Sequence, residues 1–205
     1  MSRIIQADEP SAPAGRRNFL GQLGTATLSA GAVALIAGCE SMAGGTGASY
    51  SAAANPKKDV GLLNYALGLE HEAIDIYQIA AETGLLTKPV LGVAVQFQGH
   101  HKAHRDALAA TVRQLGGAPV AAKSRAYYLG RIKQYKLRNQ RDILELAYKL
   151  EGIAANEYIK AIPAFTNSAL AKVAGRLVAD ETMHWTTYAQ ALGKPLPQAG
   201  LSFGA

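Results

Sequence analysis

Six side chains of the kinds that bind transition metals recur here in two matching sets. One set is Glu70 followed by the pair His101-x-x-His104; the other is Glu151 followed by Glu181-x-x-His184. Residues three apart on a helix differ by about 300° of rotation, so both members of each pair point the same way about one turn apart. Glu70 and Glu151 lie on otherwise apolar helical stripes. A carboxylate there is costly to bury unless it is ion-paired or binds a metal. Oxygen and imidazole donors together suit iron or manganese, and a third imidazole moves the set toward zinc or copper.

The elements that must hold these residues are helices. Leu63 to Tyr77 and Leu144 to Tyr158 agree at six of fifteen positions, L-x-x-A-x-x-L-E-x-x-A-x-x-x-Y. The shared positions step by three and four, which is one face of a helix. Farther along, HHKAH (100–104) falls on DETMH (180–184), so His101 matches Glu181 and His104 matches His184. Two such halves aim six ligand candidates at one point, and helix bundles build two-metal sites in this manner. Tyr77 and Tyr158 stand two turns beyond the glutamates. They read as core tyrosines with one hydrogen bond, or as cofactor-site donors to the carboxylates. His100 reads as a surface residue or a neighbour of the ligands, and Trp185 as packing. His71 and Glu72 lie about 100° and 200° around the helix from Glu70 and are expected to face solvent.

Caps and breakers bound four long helices. The first starts near Asn55-Pro56 and stops at Gly84. The second starts near Thr87 and ends at Gly116-Gly117. Residues 118–138 form one long crossover, basic and carrying Tyr127, Tyr128 and Tyr135. It reads either as a surface for a polyanion or as a solvated connection whose tyrosines pack on the bundle. The third helix runs from Asn139 to Ile162, ended by Pro163, and the fourth from Asn167 to Leu192, ended by Gly193. The fold class expected is all-α.

On Glu70, Glu151 and Glu181-x-x-His184, residues 58–193 resemble the ferritin-like, rubrerythrin-type family. The resemblance implies a four-helix bundle of two antiparallel helix pairs joined by a long crossover. It also implies a metal site of Glu70, His101, His104, Glu151, Glu181 and His184, with Tyr77 and Tyr158 beside it. The cofactor implied is iron or manganese, with zinc as an alternative, at one or two ions per chain. The chain departs from the family at His101, where the family has a glutamate, leaving three carboxylates and three imidazoles. The activity implied is oxidoreductase chemistry on oxygen, peroxide or ferrous iron. The departure keeps two other readings open: a non-catalytic metal binder, and a structural, stress-protective protein of the desiccation-related type.

The remaining features concern location. Residues 1–39 read as a signal peptide: Arg16-Arg17-Asn18-Phe19-Leu20 resembles the twin-arginine motif, and an apolar run follows. The run ends at Cys39, the single cysteine, in a sequence resembling a lipobox; ordinary cleavage a little later is the competing reading. Residues 40–57 are a Gly/Ala/Ser-rich linker and 194–205 an irregular tail. The 205 residues are 49% hydrophobic, ample for one core. One cysteine excludes an intrachain disulfide and a thiolate zinc cluster. The formal charge of +6 is too small to argue for nucleic acid. The expected product is an exported envelope lipoprotein, handled by the twin-arginine machinery, tethered to a membrane through Cys39, and open to homodimer formation.

Overall fold

Asparagine side chains open three of the four long helices. Asn55, Asn139 and Asn167 accept hydrogen bonds from the backbone N–H groups of Lys58, Asp142 and Ala169 at 3.1, 3.0 and 2.9 Å, satisfying donors that a helix start leaves unpaired. The computed structural model describes residues 55–204. The order is α1 (Pro56–Glu82), α2 (Lys88–Gln114), α3 (Arg125–Ile132), α4 (Gln140–Ala161), a 3-10 turn (Ile162–Ala164) and α5 (Ser168–Leu192). Among the described residues there is no strand. None of their helices is long and apolar enough to cross a membrane. The signal peptide, Cys39 and nearly all of the linker lie outside the described residues; α1 begins at Pro56, two residues inside the linker as bounded by sequence.

α1 pairs with α2 and α4 with α5, each across a short connection, and the two pairs close into a bundle. Gly193 ends α5 in the left-handed conformation, φ 68°, which glycine adopts without strain. Gly117 follows α2 where the chain passes α1; a Cβ there would lie 2.6 Å from Val60 Cγ1. Two of the three apolar clusters lie along the bundle interior. Leu63, Leu67, Leu108, Val112 and Leu177 pack around Tyr158. Ala94, Phe97, Leu144 and Leu192 pack around Tyr77 and Tyr188. Between these layers lie the buried Glu70, His101, Glu151, Glu181 and His184, with Glu70 bonded to Tyr158 and Glu151 to Tyr77.

The crossover differs from its sequence reading in holding a helix, α3. Ser124 caps it, accepting from Tyr127 N at 3.2 Å, and Tyr128 and Ile132, one turn apart, are buried against α1 and α4 beside Ile76, Ile79 and Leu146. The crossover's arginines pair with acids of the bundle: Arg125 with Glu82, Arg131 with Glu72 at 3.0 Å, and Arg138 with Asp142 at 3.2 Å. This corrects the expectation for His71 and Glu72. The crossover lies over that face of α1, so His71 Nε2 meets the Val120 carbonyl at 3.1 Å and the Glu72 side chain is only 17% exposed.

Candidate metal centre

All six predicted ligands converge in the polar layer, and all are buried. α1 supplies Glu70, α2 His101 and His104, α4 Glu151, and α5 Glu181 and His184. Their donor atoms form two overlapping quartets, each with atoms mutually within 4.8 Å: Glu70, His101, His104 and Glu181, and His101, Glu151, Glu181 and His184. Glu181 and His101 belong to both. The His101 ring sits between the carboxylates of the two helix pairs, Nδ1 2.9 Å from Glu70 Oε2 and Nε2 3.3 Å from Glu151 Oε1.

The two tyrosines act crosswise. Tyr77 leaves the same helix as Glu70 yet donates its hydroxyl to Glu151; Tyr158, on the helix of Glu151, donates to Glu70. The internal repeat is thus a two-fold arrangement in space, each half's tyrosine holding the other half's glutamate. The residue preceding each motif acts the same way. Asp180 Oδ2 lies 3.1 Å from His104 Nε2, and His100 Nδ1 lies 2.9 Å from His184 Nε2. With their outer nitrogens held, His104 turns Nδ1 between Glu181 and Glu70, at 3.3 and 3.4 Å, and His184 turns Nδ1 to Glu151 at 3.2 Å, with Glu181 at 3.5 Å. Such outer partners fix ring orientation and tautomer at a metal ligand.

Electrostatics sharpen the picture. Burial alone would raise the Glu70 carboxyl, but the His101 hydrogen bond and the nearby His101 and His104 rings outweigh it and hold Glu70 at about 2. Glu151 is likewise held low against burial, chiefly by the His101 charge. Burial opposes protonation of His104, yet Glu181 and Glu70 bring it up to about 10; His101 and His184 are raised too, chiefly by Glu151. Glu181 goes the other way: burial lifts it, and the neighbouring Glu151 charge adds to that.

A bound cation fits what these atoms lack. Neither oxygen of Glu181, which is 0% exposed, has an aligned hydrogen-bond donor, nor does His104 Nδ1 have a partner. His104 and His184 lie within 4 Å of Glu181 but are not oriented to bond it. Buried polar atoms in native proteins are almost always paired. A buried carboxylate and a nearby imidazole nitrogen that lack hydrogen-bond partners are donor types that can hold a metal ion.

The sequence profile of the ferritin-like domain family matches residues 58–194. The chain belongs to this family. No curated protein matches the chain closely enough to count as a relative. Two residues beside the ferritin-like site escaped the sequence reading. Asp180 was in register with His100, and that register was its available signal. Tyr188 stands seven residues after Glu181 on the same face of α5 and donates to the Tyr77 hydroxyl at 2.9 Å. Its counterpart in the first half is Leu108, so the repeat gave no pointer to it. Trp185 packs as expected, stacked on Tyr148 with ring centroids 5.0 Å apart.

Proposed function

We propose that this protein is an exported ferritin-like oxidoreductase whose centre holds two iron or manganese ions and acts on oxygen, peroxide or ferrous iron. The observation that carries the reading is the pair of overlapping quartets joined by Glu181, whose buried oxygens have no donor. Glu70 and His104 would hold one ion, Glu151 and His184 the other, with Glu181 and His101 between them. Ions of this kind supply one-electron redox changes and Lewis acidity toward oxygen-containing substrates. The chain's own residues set orientation and access. Tyr77 and Tyr158 fix one oxygen of each outer glutamate, Asp180 and His100 fix the outward nitrogens of the ligand histidines, and the flanking apolar layers exclude bulk water. Metal binding displaces protons from the imidazoles, which couples occupancy to pH and to folding.

One observation favours a second reading, a single ion held without turnover. Both His101 nitrogens are engaged by glutamates, and a neutral imidazole ligates one metal where a carboxylate bridges two. Export and tethering are part of the proposal as well. Arg16 and Arg17 would direct the twin-arginine route, which carries folded and therefore metal-loaded protein, and Cys39 would anchor it.

Metal analysis per chain tests the function. Protein loaded with ferrous iron or manganese should hold two ions, and Glu181→Ala should lose both because the two quartets share Glu181. One ion in the wild type, rising to two in His101→Glu, would establish the single-ion reading instead. No bound metal under iron, manganese and zinc loading would leave only a structural role.

A further inference from the structure

The two halves of the bundle part company immediately beside the site. Behind Tyr158, Leu108 closes the wall within an aliphatic cluster. At the matching place behind Tyr77 stands Tyr188, and against this pair lies a cavity of about 30 Å³. Besides Tyr77 and Tyr188, only aliphatic side chains line it, among them Ala80, Ala94, Leu144 and Ala147. The tyrosine protons are turned away from it, Tyr188 donating to Tyr77 and Tyr77 to Glu151. The space exceeds the roughly 10–15 Å³ that one water needs, but a stable buried water also needs two to four polar partners. This wall offers almost none. Such an apolar lining disfavours water and suits a small apolar guest.

We propose that this cavity is a binding pocket for a small apolar molecule of the dioxygen class, separated from the metal layer by the Tyr77 ring. That ring has its centroid 5.2 Å from the His101 ring. The identity of the guest rests on the redox reading above; the apolar character of the pocket does not. A charged or strongly polar oxidant such as peroxide has no partner here and would reach the centre elsewhere. Polar groups stand instead at the outward nitrogens of the ligand histidines, where Asp180 is half-exposed and His100 part-buried.

Xenon is the probe, applied to the full folded chain. Dissolved xenon should bind the wild type and shift the methyl resonances of Leu144 and Ala94 by NMR. Ala94→Leu and Ala147→Leu, which fill the cavity from different helices, should each lose that shift while metal content per chain stays at the wild-type value. In ferrous-loaded protein either filled variant should slow reaction with dioxygen several-fold and leave reaction with hydrogen peroxide unchanged. Absence of xenon from the wild-type cavity overturns the proposal, whatever the variants do. So does equal slowing with both oxidants. Xenon binding in a chain that takes up no metal would uphold the pocket and remove the redox reading. Metal binding without xenon would do the reverse.

Discussion

The imidazoles that would bind metal are drawn toward their protonated forms by the carboxylates around them. In the metal-free chain His104 is raised from 6.5 to about 10, and His101 and His184 are raised with it. A group whose pKa is higher folded than unfolded stabilises the fold fully below its unfolded value and loses that contribution as pH rises through its folded one. Metal-free protein should therefore have a falling urea midpoint as pH climbs from 6.5 to about 10. Metal-loaded protein should lack that fall, because the metal requires the unprotonated rings. A flat metal-free profile would mean that the imidazoles are neutral in the fold. At this scale the ligands were legible because duplication made weak motifs corroborate one another: Glu181-x-x-His184 alone is common on charged helices. Tyr188 was not legible, since it breaks the repeat. Nor was the crosswise pairing of tyrosine and glutamate, which depends on how the two helix pairs meet and not on spacing within either.

Among the elements, α3 shows what charge counting misses. The arginines in and beyond it gave the crossover a polyanion-binding look, yet Arg125 and Arg131 of the helix and Arg138 after it face acids on α1 and α4, and the buried contribution comes from Tyr128. Tyr128 is 2% exposed, and its hydroxyl accepts from Lys123 N at 3.0 Å. Truncating a buried aromatic costs about 3–5 kcal/mol, whereas an exposed ion pair contributes about 0–1 kcal/mol. Tyr128→Ala should thus destabilise the chain by at least about 3 kcal/mol and Arg125→Ala by less than about 1 kcal/mol in urea unfolding. Similar losses for both would show that the crossover is held by charge. The four long helices were legible because asparagine caps, prolines and glycines mark their ends. Helix α3 is two turns long, and its Tyr128/Ile132 spacing was too brief a pattern to stand out against the surrounding arginines and lysines.

For the whole molecule, the proposal places a folded bundle on the far side of a membrane, carried there by residues ahead of the described helices. Replacing Arg16 and Arg17 with lysine should leave precursor in the cytoplasm, and Cys39→Ser should move the mature domain from the membrane to the soluble fraction, both read by fractionation. Unchanged processing in the first case, or unchanged membrane association in the second, would refute the corresponding signal. The helical class was legible from the periodicity of the repeat, and the two antiparallel pairs from the resemblance to the ferritin-like family. The apolar cavity was not, because it arises from small side chains on separate helices meeting at one end of the core. The account depends above all on metal occupying the layer between Glu70 and Glu151. Anomalous diffraction at the absorption edge of the loaded metal tests this most directly. It should show two peaks inside the bundle, both against Glu181, one beside Glu70 and His104 and the other beside Glu151 and His184. Anomalous density confined to the surface, or absent from the bundle in fully loaded crystals, would contradict it.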